Sequence, residues 1–197
     1  MNYRSILFLV IIGTALLTAG CGRDTFSTVQ TTEAAESVSE TAQTTDKSTE
    51  AYILTFEAKT LEGETLTSDI FSQSRLTMLN IWATYCNPCL SEMPDLGAIA
   101  ASFDKADFQI LGVVSDVNEA ADADTIDNAL SLVEETQANY PHVLLSQTLY
   151  ENLVGGIDSV PTTFFINQKG EVLGYVVGAQ SKETWEEIIY ELLEEQE

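Results

Sequence analysis

Two cysteines, Cys86 and Cys89, are separated by two residues in the chain, a spacing that allows their sulfurs to close a small disulfide. Residues 76–82 just before them form an apolar, β-favouring run of strand length, and the residues from Asn87 onwards have a helical pattern. The first turn of a helix presents unpaired N–H groups and a positive dipole end, and both favour a thiolate over a thiol. We therefore expect Cys86 to be the nucleophile and Cys89, one turn inside the helix, to be a more buried resolving thiol.

Other uses of such a pair are a structural disulfide, half of a zinc site, or a thiolate site for Cu(I). A zinc site needs about four N or S ligands, whereas the whole chain has three cysteines and one histidine. This ligand count favours redox use. It predicts no metal, and no cofactor other than the disulfide itself.

Composition limits the classes of partner. The 197 residues, 45% of them hydrophobic, are enough for one domain of ordinary size with one core. The formal charge of -23 comes from 31 Asp and Glu against eight Lys and Arg. Nucleic acid and anionic lipid surfaces are therefore poor partners, because binding phosphate requires a basic patch.

The N-terminus has the layout of a secretory signal. Residues 1–20 hold one charged group, Arg4, followed by an apolar stretch that is too short for a comfortable transmembrane helix. Small residues then precede Cys21, as in a bacterial lipobox, although Thr18 stands where Leu is commonest. We expect Cys21 to be the acylated lipid anchor, which also explains the odd cysteine count; the alternative is ordinary cleavage that leaves it free. Residues 21–51 are rich in Thr, Ser, Glu, Ala and Gln, and are predicted to be a disordered linker.

Residues 52–197 have the patterns of a folded domain. Residues 53–59 and 64–67 predict a hairpin around a turn at Glu62 and Gly63, and 68–71 a single helical turn. The remaining elements are predicted as a strand over 76–82, a helix over 87–103 kinked at Pro94, a strand over 108–115, a helix over 124–139 capped by Asp124 or Thr125, a strand over 142–145, a short helix over 148–154, strands over 162–167 and 172–177, and a last helix from Ser181. This order predicts an α/β fold with a mixed central sheet and helices on both faces. The cysteines would lie at the carboxyl end of a central strand, where open α/β sheets place their sites.

Two motifs in this order resemble the thioredoxin superfamily: residues 82–89, which read WATYCNPC, and residues 160–163, which read VPTT. The run CNPCLSEMP from Cys86, the extra helical segment and the N-terminal hairpin are similar to the membrane-anchored TlpA/ResA-like thiol–disulfide oxidoreductases. The resemblance covers roughly residues 52–195. It implies a three-layer thioredoxin-like fold.

The resemblance also implies roles for single residues. Cys86 would attack a substrate disulfide, and Cys89 would resolve the mixed disulfide. Pro161 matches the family's cis-proline, which leaves the backbone of Val160 free to pair with a substrate; the alternative is a trans proline that opens a strand. Trp82 and Tyr85 complete the expected substrate-binding surface, with the indole packed on the dithiol and the phenol in an exposed rim.

Glu92 is the candidate proton carrier. It lies three positions beyond Cys89 on the same helix, so the two side chains can share a face. The family's matching Glu is assigned a role in tuning the thiols, whereas the alternative is a solvated helix carboxylate. Many thioredoxins carry a buried Asp six residues before the first cysteine, where this chain has Asn80, which cannot exchange protons. The single histidine, His142, is expected to be a packed or surface residue and not a ligand.

The function implied is an extracytoplasmic thiol–disulfide oxidoreductase, lipid-anchored to the cell membrane of a Gram-positive bacterium and acting as a reductase. Proteins of this kind receive electrons from a DsbD/CcdA-type membrane carrier. These oxidoreductases pass the electrons to oxidised exported proteins. Examples are an apocytochrome c during cytochrome c maturation and a methionine sulfoxide reductase in antioxidant repair. A monomer is expected. The alternatives are a dithiol oxidase that installs disulfides and a Cu(I) carrier, although copper-delivery relatives of this fold use a wider cysteine spacing plus a His. A peroxidase would favour one activated Cys after a Pro/Thr motif, which we do not find.

Overall fold

The protein is described here by a computed structural model that covers residues 51–196. Its elements in chain order are β1 (Glu57–Lys59), β2 (Thr65–Thr67), a 3-10 turn (Ser68–Gln73), β3 (Leu76–Trp82), α1 (Asn87–Ser102), β4 (Phe108–Asn118), α2 (Ala123–Glu135), β5 (His142–Leu145), α3 (Gln147–Asn152), a 3-10 turn (Val154–Gly156), β6 (Thr162–Asn167), β7 (Val172–Val177) and α4 (Lys182–Glu195). β1 and β2 form the predicted antiparallel hairpin.

The central sheet has five strands in the order β5-β4-β3-β6-β7. β3 runs parallel to β4, and β4 to β5, whereas β6 is antiparallel to both β3 and β7. All seven residues of β3 are buried. A strand covered on both faces needs an almost continuous apolar run, which explains why residues 76–82 do not alternate with polar residues.

Each face of the sheet carries its own hydrophobic cluster. On one face the buried residues of α1 and α4, among them Met93, Leu96 and Trp185, pack against β3 and β4, and both Cys86 and Cys89 belong to this cluster. On the other face the cluster joins residues from the hairpin region and from α3. The predicted mixed sheet with helices on both faces is confirmed.

A row of aligned residues crosses the sheet beneath α1. Asn80 of β3 is paired with Thr163 of β6 on one side and with Gly112 of β4 on the other, and Gly112 is in turn paired with His142 of β5. A Cβ atom on Gly112 would lie 2.1 Å from Nδ1 of His142. The absence of a side chain at position 112 is therefore what allows the imidazole to lie over the sheet.

Several predicted boundaries are wrong. The helix predicted over 124–139 is α2, which begins one residue earlier because Asp122 caps it, accepting a hydrogen bond from the N–H of Thr125 at 2.9 Å. It ends at Glu135, since Gln137 adopts a φ of 55° and the chain leaves the helical path. β4 continues to Asn118, beyond the predicted residue 115.

Other boundaries differ in smaller ways. The first hairpin strand is only Glu57–Lys59, with Ile53 making an isolated bridge to Glu171. The short helix begins at Gln147, because the hydroxyl of Ser146 accepts from the N–H of Leu149 at 3.2 Å, and it ends at Asn152.

The predicted signal peptide (1–20), the anchor Cys21 and the linker up to residue 50 lie outside the described residues. These three assignments stay predictions. Within residues 51–196, none of the helices combines the length and apolar character needed to cross a bilayer.

Candidate redox site

Cys86 and Cys89 form a disulfide, with an S–S bond of 2.03 Å and Cα atoms 5.3 Å apart. Cys86 is the N-cap of α1, and its Sγ accepts a hydrogen bond from the N–H of Cys89 at 3.3 Å. Pro88 lies in the first turn of the helix, where its missing N–H removes no hydrogen bond. When the disulfide is reduced, the helix N-terminus will favour a thiolate on Cys86.

The two sulfurs differ in accessibility. Cys86 keeps 6% of its surface exposed, whereas Cys89 has none. Both cysteines belong to the buried cluster, and of the two only Cys86 has surface that an incoming thiolate or disulfide could contact. Cys89 is the more buried of the two, as expected, while the roles of nucleophile and resolving thiol stay predictions.

The loop before Cys86 is held by the end of β4. The N–H of Thr84 donates to both carboxylate oxygens of Asp116 at 3.0 and 3.2 Å, and its hydroxyl donates to Oδ2 at 2.5 Å. The hydroxyl of Ser115 donates to the carbonyl of Trp82 at 2.9 Å. Sequence reasoning missed Asp116. The only signal in the sequence was that Asp116 directly follows the predicted apolar strand over 108–115, at the edge of the sheet where the cysteines were expected.

Pro161 lies at this same edge. The Val160–Pro161 bond is cis, and the residue that follows, Thr162, is paired with Ile81 near the end of β3. The carbonyl of Pro161 accepts from the N–H of Gly178 at 2.8 Å. The side chain of Val160 packs against both hydrophobic clusters, while its backbone N–H and C=O make no hydrogen bond to any residue within 51–196.

Glu92 is buried, with 3% of its surface exposed. Its Oε1 accepts from Nδ2 of Asn80 at 3.2 Å. Its Oε2 accepts from the N–H of Gln180 at 3.2 Å and from Nε1 of Trp185 at 3.3 Å. Burial raises the pKa of Glu92 above its ordinary value, and the three hydrogen bonds, which lower it, only partly compensate.

Trp82 and Tyr85 have opposite environments. Trp82 is completely buried in the cluster that contains both cysteines, so its indole contacts the core and not the outer surface. Tyr85 is 75% exposed. Of the two, only Tyr85 offers surface to a bound protein in the disulfide form.

His142 is the residue that sequence reasoning set aside and the structure brings into the neighbourhood of the site. Its Nδ1 accepts from Nε1 of Trp82 at 3.1 Å, and its Nε2 lies 3.1 Å from the carbonyl of Ala138. These partners fit a neutral ring with its proton on Nε2. Burial lowers the pKa of His142 to about 4.

No set of three or more His, Cys, Asp or Glu side chains within residues 51–196 is arranged to hold a metal ion. The groups that the structure places at this edge of the sheet are the disulfide, the helix N-terminus and the proline loop, with the buried carboxylate of Glu92 one turn along α1. Such an arrangement can exchange a disulfide at Cys86 and move a proton at Glu92.

Comparisons with known proteins agree with this geometry. A sequence model of the AhpC/TSA family matches residues 50–174. The thiol–disulfide oxidoreductase ResA of Bacillus thuringiensis strain Al Hakam is 30% identical over 111 residues, which are 55% of this chain and 58% of the relative's own length. The chain thus matches little more than half of that relative.

Solved structures show the same fold. A thiol:disulfide interchange protein of the thioredoxin family from Chlorobium tepidum superposes with a TM-score of 0.60 at 24% identity, covering 73% of this chain and 97% of its own. The exposed lipoprotein thioredoxin Etrx1 of Streptococcus pneumoniae gives a TM-score of 0.56 at 24% identity, covering 70% and 98%. The predicted thioredoxin-like fold is confirmed.

Proposed function

The chain belongs to the AhpC/TSA family of the thioredoxin superfamily, and we propose that it is a thiol–disulfide oxidoreductase that reduces disulfides of other proteins through Cys86 and Cys89. The observation that carries the proposal is the asymmetry of the pair. Cys86 is accessible at a helix N-terminus, whereas Cys89 is sealed in the core.

The proposed reduction has two exchange steps. The Cys86 thiolate attacks one sulfur of the substrate disulfide, forming a mixed disulfide and releasing the other sulfur as a thiolate, which takes a proton from water. Cys89 then loses its proton and attacks Sγ of Cys86. The mixed disulfide breaks, the second substrate thiolate leaves and is protonated, and Cys86–Cys89 is restored. Two electrons have passed to the substrate.

In the second step Glu92 accepts the proton of Cys89. Its carboxylate lies one helical turn further along α1 and is shielded from solvent. A pKa raised by burial brings the carboxyl closer to neutral pH, where an acid or base can both take and return a proton.

The unpaired backbone of Val160 provides the binding surface in this proposal. Its free N–H and C=O can pair with an extended segment of the substrate next to the disulfide. Tyr85, the residue before Cys86, supplies exposed aromatic surface. The substrate-binding role of Trp82 becomes indirect, through the packing of the dithiol.

We place this activity outside the cytoplasm, on a bacterial membrane. The predicted signal over residues 1–20, the predicted acylation of Cys21 and the likeness to a pneumococcal protein described as an exposed lipoprotein support this location. The proposed electron donor is a membrane dithiol carrier of the DsbD/CcdA type, and the proposed recipients are exported proteins.

The test is a redox titration of the purified protein against glutathione, followed by exchange with a protein disulfide such as insulin. We expect reversible cycling, a strongly reducing potential, loss of exchange in Cys86→Ser and a trapped mixed disulfide in Cys89→Ser. Cys21→Ser is the matched control and should cycle normally. A pair that cannot be reduced, or that never exchanges with a protein disulfide, contradicts the proposal; an oxidising potential would assign the dithiol oxidase role instead.

A further inference from the structure

The hydrogen-bond partners of Glu92 suit only its charged form. The N–H of Gln180 and Nε1 of Trp185 can donate but never accept. The third partner, Nδ2 of Asn80, is also a donor as it is oriented. A protonated Glu92 must donate its own O–H, and none of these three atoms can receive it.

Asn80 holds the missing acceptor. Its Oδ1 is one of two buried side-chain polar atoms in the described part of the chain with no hydrogen-bond partner; the other is the hydroxyl of Tyr140. Buried polar atoms are nearly always paired, so an orphaned amide oxygen beside an ionisable carboxyl requires an explanation. A half-turn about the terminal side-chain torsion would exchange Oδ1 with Nδ2 and point the acceptor at Glu92.

Thr163 makes both orientations of the amide possible. At present Nδ2 of Asn80 donates to Glu92 at 3.2 Å and also to Oγ1 of Thr163 at 3.0 Å. A hydroxyl can accept or donate. After the half-turn Oδ1 would accept from both the O–H of Glu92 and the hydroxyl of Thr163, so each hydrogen bond is replaced by one of reversed direction.

We propose that Asn80 is a positioning residue whose side-chain amide turns over when Glu92 gains or loses a proton, and thereby holds the carboxyl in place in both states. Both residues are almost fully buried, and the amide is held on the row of aligned residues across the sheet. The use of this switch in the resolving step rests on the proposed function; the switch itself does not.

An Asp at position 80 could not do the same. A carboxylate there can only accept, and beside an ionised Glu92 it would add a like charge at hydrogen-bond distance. The neutral amide instead offers a donor to the carboxylate and an acceptor to the carboxylic acid. Tyr140 is the other titratable group that Glu92 affects; burial and the charge of Glu92 raise its pKa, so it stays neutral while Glu92 titrates.

The direct test is a nuclear magnetic resonance titration of the oxidised protein from about pH 4 to about pH 9. The carboxyl carbon of Glu92 is identified by its loss in Glu92→Gln. The contact between the Nδ2 protons of Asn80 and the methyl group of Thr163 is followed by the nuclear Overhauser effect. We expect this contact at high pH and its loss at low pH. The pH at which half of the contact is lost should equal the midpoint of the Glu92 titration. A contact that persists when Glu92 is protonated overturns the proposal, as does a Glu92 that does not titrate in this range.

Variants give a second readout in the reduced protein. An aromatic disulfide reagent that releases a coloured thiol reacts first with Cys86, and the attack of Cys89 then releases a second equivalent. We expect Asn80→Leu to slow this second release about tenfold or more, and Asn80→Asp to move its pH midpoint up by about one unit or more. Thr77→Val, a buried change on the same strand that removes a contact with Gln109, is the matched control and should leave the pH profile unchanged.

The two proposals fail in distinguishable ways. If the wild-type protein releases no second equivalent, the proposed function fails, while the titration of the oxidised protein still decides on the switch. If release is normal and its pH midpoint is the same in Asn80→Asp as in the wild type, the switch is wrong and the oxidoreductase stands.

Discussion

Glu92 and His142 are both buried ionisable groups on the α1 side of the sheet, with 3% and 2% of their surfaces exposed. Burial favours the neutral form of each, raising one pKa and lowering the other. Their hydrogen bonds differ. The imidazole has one donor and one acceptor as neighbours, which is what a neutral ring requires, whereas Glu92 has three donors, which is what a charged carboxylate requires.

This difference separates His142, whose protonation state is fixed, from Glu92, which can gain or lose a proton. At His142 burial and the hydrogen bond from Trp82 favour the neutral ring, and they outweigh the hydrogen bond to the carbonyl of Ala138, which favours the charged form, so the ring is locked in its neutral state. At Glu92 burial and hydrogen bonding oppose each other, so the two states are closer in free energy, as the proposed transfer of a proton from Cys89 requires. Substitutions on the two sides of this contrast should therefore have different effects.

Gly112→Ala should disturb the histidine side alone. Its new Cβ would lie 2.1 Å from Nδ1 of a buried ring that is held by two hydrogen bonds, so we expect a loss of about 3 kcal/mol in the free energy of unfolding. Chemical denaturation measures it. Gly174→Ala is the matched control, since no atom lies within 4 Å of its added Cβ. Equal stabilities of the two variants would show that the ring is not tightly held.

The locked imidazole predicts loss of stability in acid. Between pH 6.5 and about 4 the unfolded chain binds a proton at His142 that the folded protein does not, because burial, which lowers the pKa of the ring, outweighs the hydrogen bond to Ala138 and the charge of Glu62, which raise it. The free energy of unfolding should therefore fall as the pH falls through this window, by up to about 3 kcal/mol. In His142→Gln this part of the fall should disappear. An unchanged pH dependence in that variant would mean that the histidine is not the cause.

Glu92→Gln should slow the resolving step about a hundredfold, the lower range for a lost acid–base group and equal to ~2.7 kcal/mol. The glutamine keeps the shape of the side chain, so a stopped-flow measurement of the second thiol release reports the lost proton transfer. A wild-type rate and pH profile would remove Glu92 from the mechanism.

The sign of the stability effect at Glu92 is opposite to that at His142. The pKa of Glu92 in the folded protein is raised above 4.5, so at a pH between 4.5 and that raised pKa the folded protein holds a proton that the unfolded chain has lost. The free energy of unfolding therefore falls as the pH rises through this range. Glu92→Gln should abolish that fall, measured by denaturation across pH. A fall that persists in the variant must come from another group.

Tyr85→Ala should have the smallest effect on folding. With 75% of its surface exposed, the side chain is expected to contribute less than about 0.5 kcal/mol to stability. Its loss should raise KM for a protein disulfide and leave the reaction with a small aromatic disulfide unchanged. If Tyr85→Ala changed the pH profile of the second thiol release, the exposed Tyr85 would influence the titration of the buried Glu92, which we do not expect.

Prediction from sequence succeeded where the signal is local. The strand over 76–82 has the predicted bounds, and the pair Cys86 and Cys89 lies at the start of α1 as expected. It failed at the ends of α2, because the capping residue Asp122 and the left-handed Gln137 are decided by a few competing hydrogen bonds and not by periodicity.

The reactive residues of the site could be predicted from the sequence, but the residues that hydrogen-bond to them could not. The cysteine spacing and the carboxylate one turn later are properties of neighbouring residues on one helix. Trp185 and Gln180 carry no local signal and Asp116 only its position after a predicted strand, because each acts on the site from a distant part of the chain.

The sequence alone predicts a dithiol at a strand–helix junction in an α/β domain. Cysteine spacing and hydrophobic periodicity suffice for this because both are patterns of residues close together in the chain. Only the tertiary structure decides that Asn80 is aligned with Thr163 and Gly112 across the sheet, and that Glu92 lies among donors from β3 and from the segment that leads into α4. The physical reason is that protonation depends on burial and on hydrogen-bond partners, and both are set by strand register and packing between residues far apart in the chain.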